Sequence, residues 1–300
     1  MGCPLPVLRF LAREHARSPY SGPVLTLGRQ CVYATFDQVV QTLREEGLEP
    51  RPLPAGFSER TDLPGWRDGP YATMTSDRAF FHALGGLETV ALDHSDYERA
   101  EVIWDLNRPV SPELEGRFGL ILDGGTLEHV FDTRTALANI ARMLKPGGRV
   151  LHTNPTTNYV AHGFYQFSPT FYYDWYTVNG FTDLRAVLVE QPPWSQTGRG
   201  WRCWAWDPHR PYAFARSSRL LMTYFVAKKG PGATDDRIPQ QGESTRHDEV
   251  SRTDYDAQGS SGWRARLARA LPPRLHLAIR RVRGRDLTTE PWGLRYLGRL

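Results

Sequence analysis

Apolar residues recur with helical spacing from Leu5 to Ala16, and the Ser18-Pro19 and Ser21-Gly22-Pro23 steps break that period. Val24 to Leu27 is a short apolar run stopped by Gly28, and Phe36 to Glu46 returns to a helical pattern until Gly47. Strand, loop and helix therefore follow one another, as at the start of an α/β unit. Glu49 to Tyr71 is rich in Pro and Gly and carries no sustained period, so residues 49–86 read as an insertion whose last part, Ser76 to Leu84, is a helix closed by Gly85-Gly86.

Three short apolar strands come next, Thr89 to Leu92, Glu101 to Trp104 and Phe118 to Leu122, and each runs into an acid: Asp93, Asp105 and Asp123. Thr133 to Leu144 is a helix that Asp132 is placed to cap, Lys145-Pro146-Gly147-Gly148 ends it, and Arg149 to Thr153 begins another strand. Phe181 to Gln191 and Leu220 to Lys228 read as a final antiparallel hairpin around a Trp-rich insertion, residues 192–216. This alternation predicts an α/β domain over residues 1–230, built on a mainly parallel seven-stranded sheet flanked by helices. No internal repeat is apparent.

Composition narrows the picture further. No run of about 18 apolar residues is present. Residues 1–19 lack the basic lead and small-residue cleavage site of a secretory leader, and Pro6 stands where a myristoylation signal wants Ser or Thr. A cytoplasmic enzyme is the expectation. Cys3, Cys31 and Cys203 are far apart with no CxxC pair, which argues for reduced thiols and against a disulfide framework or a zinc site; no metal is expected. The net charge of +4 resides wholly in residues 231–300, where 13 Arg face 9 acids, so the body before them is neutral. Residues 231–262 are polar and Gly-rich and predict a disordered linker. Residues 263–300 form a basic tail, and 263–285 read as an amphipathic helix interrupted at Pro272-Pro273, suited to resting on anionic lipid or on nucleic acid, or to a solvated existence. Nucleic acid is not the expected acceptor, because the body is neutral.

In an open parallel sheet, ligands sit beyond the carboxyl ends of the strands. Asp93 could accept both hydroxyls of a ribose and Asp105 an exocyclic amine of adenine, so a nucleoside would bridge adjacent loops. The alternative is that these acids cap helices and close turns. His129 and His162 are the candidate catalytic bases; each could equally be a structural residue of a turn. Glu128 could contact a ligand or complement a helix dipole. The aromatic run from Phe164 to Tyr176 could line an acceptor pocket or pack in the core, and Trp194, Trp201, Trp204 and Trp206 could stack on a planar acceptor or form a contact between subunits.

Asp123-Gly124-Gly125-Thr126-Leu127-Glu128-His129-Val130-Phe131, with Leu144-Lys145-Pro146-Gly147-Gly148, resembles class I, Rossmann-like S-adenosylmethionine-dependent methyltransferases. The resemblance spans about residues 24–230. His162-Gly163-Phe164-Tyr165-Gln166-Phe167-Ser168-Pro169 and Ser95-Asp96-Tyr97-Glu98 are similar to blocks of a bacterial subgroup. It implies S-adenosyl-L-methionine as cofactor, held at the ribose by Asp93, at the adenine by Asp105 and Leu106, and at the methionine end by Asp123, Gly124, Thr126 and Glu128. The family's first loop is Gly-rich, whereas Leu27-Gly28-Arg29-Gln30 keeps one Gly, so Gly28, Arg29 and Gln30 are the candidates to meet the cofactor's carboxylate instead. A small molecule or a glycan is the expected acceptor, transferred to by in-line displacement. The competing reading is a non-catalytic scaffold of the same fold that lost cofactor binding at that loop. A nicotinamide-dependent oxidoreductase fits poorly, since no GxGxxG follows the first strand and Asp93 lies far beyond the fingerprint's roughly 20-residue spacing.

Overall fold

The computed structural model describes residues 2–63, 69, 71–192, 201–208, 217–241 and 294–300. In chain order the elements are β1 (Gly2–Cys3), α1 (Leu5–Arg17), β2 (Val24–Leu27), β3 (Cys31–Val32), α2 (Phe36–Glu45), β4 (Thr75–Ser76), α3 (Asp77–Gly85), β5 (Thr89–Asp93) and β6 (Val102–Ile103). They continue with β7 (Phe118–Asp123), α4 (Thr133–Met143), β8 (Leu144–Thr157), α5 (Pro169–Val178), β9 (Thr182–Gln191), β10 (Arg202–Trp206), β11 (Leu220–Lys228) and β12 (Leu294–Arg299).

The main sheet has the order β12-β10-β9-β11-β8-β7-β2-β5-β6. Strands β6, β5, β2, β7 and β8 run parallel, while β11 lies antiparallel between β8 and β9. Seven strands, from β6 to β9, thus form the expected sheet, and the chain reverses its direction of winding beside β2. The first crossover climbs from β2 outward to β5 and β6, and the return to β7 lands on the other side of β2. That reversal marks the carboxyl ends of β2, β5 and β7 as the place where open α/β sheets take their ligands. A second, small sheet of β1, β3 and β4 closes over the loop after β2.

Side chains of successive strand residues feed two different core layers. Val24 of β2 and Leu120 and Leu122 of β7 pack with Leu8, Leu11, Leu43, Phe80 and Phe81 from α1, α2 and α3. Leu25, Leu27 and Ile121 point the other way, onto Leu137 and Ile140 of α4 and Tyr172 and Tyr176 of α5. Both faces are covered, so the parallel strands read as apolar runs and not as alternation. Each of these fully buried side chains contributes about 1.5–3 kcal/mol. Local chemistry sets the helix starts: Thr35 and Gln38 form a reciprocal capping box on α2, and Asp132 accepts from Thr135 N at 3.0 Å on α4.

Several elements depart from the sequence-based expectation. The run after Phe164 contains a helix, α5, with Pro169 at its first turn and Tyr172 and Tyr176 one turn apart on its buried face. Strand β8 begins at Leu144 and runs through Lys145 to Gly148, because Gly147 N and Gly148 O pair with Lys229 and extend the sheet. Strand β6 is only two residues long. The insertion and the tail each add a strand, β10 and β12, which pair with each other. Trp201 and Trp204, weighed above as stacking platforms, are buried, and Trp204 packs with Leu188, Leu221 and Leu294. Trp194 lies outside the described residues. Residues 231–241, the start of the expected linker, are docked on the domain: Asp235 pairs with Arg142, and Asn179 holds both Thr234 and Arg237. Residues 242–262 and the basic segment 263–285 lie outside the described residues.

Candidate functional site

The turn after β7 is built by Asp123, which is fully buried. Its Oδ1 accepts from Thr126 N at 2.8 Å and Leu127 N at 3.2 Å, and its Oδ2 meets His152 Nδ1 at 2.7 Å. Burial works to raise its pKa, but the bond and charge of His152 and the amide of Thr126 outweigh it, and the carboxylate stays below its ordinary range. His152 Nε2 in turn lies 2.7 Å from Tyr176 Oη. The turn so fixed is a single 3-10 turn over Leu127–His129, which brings Glu128 and His129 to the carboxyl end of β7.

Glu128 is 1% exposed. Its Oε2 accepts from Asn154 Nδ2 at 2.9 Å, and Asn154 Oδ1 accepts from Tyr172 Oη at 2.7 Å. Burial and then the neighbouring charge of Asp123 push the Glu128 carboxyl up to about 7. The loop after β8 folds back over this residue. Phe164 N donates to Glu128 O at 2.8 Å, and a Cβ on Gly163 would stand 2.8 Å from that same oxygen, so only Gly allows the approach. His162 is thereby set 3.7 Å from Glu128 Oε1, with its ring 5.2 Å from that of His129. Burial, followed by the charge of His162, lowers the His129 pKa below its ordinary value, with Asp123 opposing. Beside the two histidines, Phe131 and Phe164 meet edge to face at 5.4 Å and are 69% and 63% exposed, an apolar rim on an otherwise polar mouth.

The structure thus brings together Glu128, His129 and His162, which the sequence separates. The other candidates lie at the neighbouring strand ends. Asp93 ends β5 with its side chain 21% exposed, its Oδ1 accepting from His94 N at 2.7 Å. Asp105 is 44% exposed; its Oδ1 closes its own turn by accepting from Asn107 N at 2.9 Å, which holds its pKa below the ordinary carboxylate value. Leu106 beside it is buried. Thr126 Oγ1 donates to Leu27 O at 2.6 Å and ties the β7 turn to β2.

Gly28 has φ +73°, the conformation that Gly accepts at the end of β2. The next two residues turn inward. The Arg29 guanidinium is 5% exposed and lies between Asp77 at 3.3 Å and Glu101 at 2.6 Å, with a further bond to Arg99 O. The Gln30 amide donates to Leu27 O at 3.0 Å and Gly28 O at 3.1 Å, and its Oε1 lies 2.4 Å from where a Cβ on Gly124 would stand.

For S-adenosylmethionine this donor set fits, with one condition. Asp93 and Asp105 present partly open carboxylates at adjacent strand ends for the nucleoside. The carbonyls of Leu27 and Gly28 are acceptors of the kind an ammonium takes, but the rotatable Gln30 amide covers both and must turn aside.

Sequence reasoning missed His152, Asn154, Asp77 and Glu101, and took Tyr172 and Tyr176 only as part of an aromatic run, in which they are core residues. A signal existed for four of these residues: His152 and Asn154 sit two apart on a strand, and Tyr172 and Tyr176 sit four apart on a helix, so each pair shares a face.

The family model described as a methyltransferase domain matches residues 87–152. No curated protein matches the chain. Among solved structures, the chain is similar to the CMeT domain of the citrinin polyketide synthase at 11% identity and TM-score 0.38, covering 76% of this chain and 52% of that one. It is also similar to the 1,6-didemethyltoxoflavin-N1-methyltransferase of Burkholderia thailandensis, solved with S-adenosylhomocysteine, at 15% identity and TM-score 0.37, covering 75% and 79%. A third is the phosphoethanolamine N-methyltransferase 2 of Haemonchus contortus in complex with S-adenosyl-L-methionine, at 14% identity and TM-score 0.32, covering 48% and 44%. The chain therefore spans about half the length of the first and less than half of the third. The sheet winds about β2 as in an α/β, Rossmann-like fold, and the methyltransferase-domain match falls on residues 87–152 of it, the stretch that holds β5, β6, β7, α4 and the first part of β8.

Proposed function

We propose that the protein methylates a small molecule or a glycan that enters across the Phe131–Phe164 rim and meets His129 and His162. The observation that carries this reading is the convergence of Glu128, His129 and His162 at the carboxyl end of β7, beside exposed aromatic surface, one strand from Gly28 and two from Asp93. Bound S-adenosylmethionine supplies an electrophilic methyl on a sulfonium, which leaves the protein the tasks of alignment and proton handling. Asp93 orients the ribose, Asp105 with Leu106 borders the adenine, and the Leu27 and Gly28 carbonyls of the first loop meet the methionine end once Gln30 turns aside, Arg29 being held away by Asp77 and Glu101. Asp123, Gly124, Thr126 and Glu128 shape the wall between the two ligands, and the His129 and His162 rings contact the acceptor atom.

The test pairs calorimetry with transfer. Wild-type protein should bind S-adenosylmethionine and S-adenosylhomocysteine, and should move label from methyl-labelled S-adenosylmethionine onto members of a panel of hydroxylated small molecules and oligosaccharides. His129→Ala should keep cofactor binding and lose single-turnover transfer. An unchanged rate removes His129 from the mechanism. The inward turn of Gln30 favours a second reading, a binding module with a closed cofactor site, and failure to bind either ligand would establish it over the first.

A further inference from the structure

We infer that Glu128, His129 and His162 form a binding site for one divalent transition-metal ion. The inference concerns the acceptor site of the proposed function but stands on its own geometry; with the ion bound, His129 and His162 would act on the acceptor through the metal and not as free bases. Each residue offers one ligand atom, and the three atoms lie within 4.8 Å of one another. A metal bound at about 2.0–2.2 Å to nitrogen and oxygen holds its ligand atoms roughly 3.0–3.5 Å apart. Glu128 Oε1 and His162 Nε2, at 3.7 Å, need only a small rotation of an exposed ring to reach that spacing. One carboxylate and two imidazoles are ligands of intermediate softness, suited to Zn(II), Co(II), Ni(II) or Fe(II) and poor for Ca(II) or Mg(II).

Three further observations separate this cluster from a chance meeting of surface groups. The carboxylate is buried and aimed by a second layer, since Asn154 Nδ2 holds Oε2 while Tyr172 Oη holds Asn154. That leaves Oε1 facing the histidines. The loop carrying His162 is locked onto the Glu128 backbone by two amides, Phe164 N at 2.8 Å and Tyr165 N at 3.3 Å, through an approach that only Gly163 permits. Ala161, just before His162, is held at φ +59°, a conformation a non-Gly residue adopts only when its surroundings impose it. Both histidines are solvent-exposed, so the remaining coordination positions face the mouth bordered by Phe131 and Phe164, where water or an acceptor oxygen would complete the sphere.

Titrating full-length, chelator-treated protein with Co(II) and Zn(II) tests the inference. One equivalent of Co(II) should bind and produce visible d–d absorption, and Zn(II) should displace it. His129→Ala, His162→Ala and Glu128→Gln should each weaken binding at least tenfold, whereas His82→Ala, on α3, should leave it unchanged. His162→Ala alters an exposed side chain, so it keeps the test open if Glu128→Gln unfolds. Absence of binding at millimolar Co(II), or equal affinity in wild type and His162→Ala, overturns the inference. Calorimetry with S-adenosylmethionine on the metal-free protein separates the two readings: cofactor binding without metal binding retains the methyltransferase reading alone, and metal binding without cofactor binding retains the metal site alone.

Discussion

Replacing Gln30 by Ala removes a side chain that occupies two acceptors of the first loop. In the native protein the Gln30 amide donates to Leu27 O and Gly28 O, its Oε1 lies 3.8 Å from Cys3 Sγ, and the residue is 1% exposed. Each neutral hydrogen bond contributes about 1 kcal/mol net, so a ligand ammonium that displaces the amide forfeits about 2 kcal/mol. Without the side chain, a methionine-bearing ligand should gain up to that amount, a tightening of at most about thirtyfold at 1.4 kcal/mol per decade. Gly28 keeps its backbone, because Gln30 N remains anchored on Asp77 Oδ2 at 3.1 Å. Calorimetry should therefore show tighter S-adenosylmethionine and S-adenosylhomocysteine binding, unchanged adenosine binding, and a lower melting temperature from the cavity. Weaker binding of both methionine-bearing ligands would refute the reasoning and make Gln30 a direct ligand. Equal tightening of adenosine would show that the loop has simply loosened.

Two other expectations follow from the same strand ends. Arg29→Ala leaves Asp77 buried without its cation, and breaking such a pair costs about 3–5 kcal/mol, which denaturant titration would read. Burial already raises the Asp77 pKa in the folded protein, so protonation favours folding and stability falls as pH rises through the window between its unfolded and folded values; the variant widens that window, and its deficit should shrink on acidification. A deficit independent of pH would argue that Glu101 and not Asp77 is the partner that matters. Asp93→Asn should weaken adenosine and S-adenosylmethionine alike, by about tenfold, with little change in melting temperature, since the side chain is 21% exposed. Equal adenosine affinity in the variant would move the ribose elsewhere.

How much of this was legible in the sequence depended on whether the signal was local. The strands β2, β5 and β7 stood out because both faces of the sheet are covered, which leaves short apolar runs that stop at a glycine or an acid. Asp132 marked the start of α4 through side-chain chemistry confined to three residues. Helix α5 stayed hidden because its aromatic side chains carry weak helix preference, and its stability comes from Tyr172 and Tyr176 packing on Phe225 of a strand some 50 positions later. Strand β12 was unreadable for the same reason, since its partner β10 lies about 90 residues before it. The inward turn of Arg29 could not be foreseen, because it depends on Asp77 and Glu101, carboxylates that only the fold brings to the loop.

The acids at the strand ends look equivalent in sequence, yet they perform different work, and burial divides them. Asp123 has no exposed surface and both its oxygens are committed, one to the amides of its own turn and the other to His152. It can position Glu128 and His129 but cannot reach a ligand without abandoning that turn. Asp93 and Asp105 each commit one oxygen to a local turn and keep part of the carboxylate in solvent. They are free to recognise a nucleoside. The same strand-end pattern therefore yields one carboxylate committed to its turn and two that stay partly open, while Glu128, five residues beyond β7, is buried with Oε2 held by Asn154. The buried acid fixes the turn that carries Glu128 and His129, while His162 is placed separately by the loop that Phe164 N and Tyr165 N hold onto Glu128 O, so the cluster is assembled from two preorganised backbone segments before any ligand arrives.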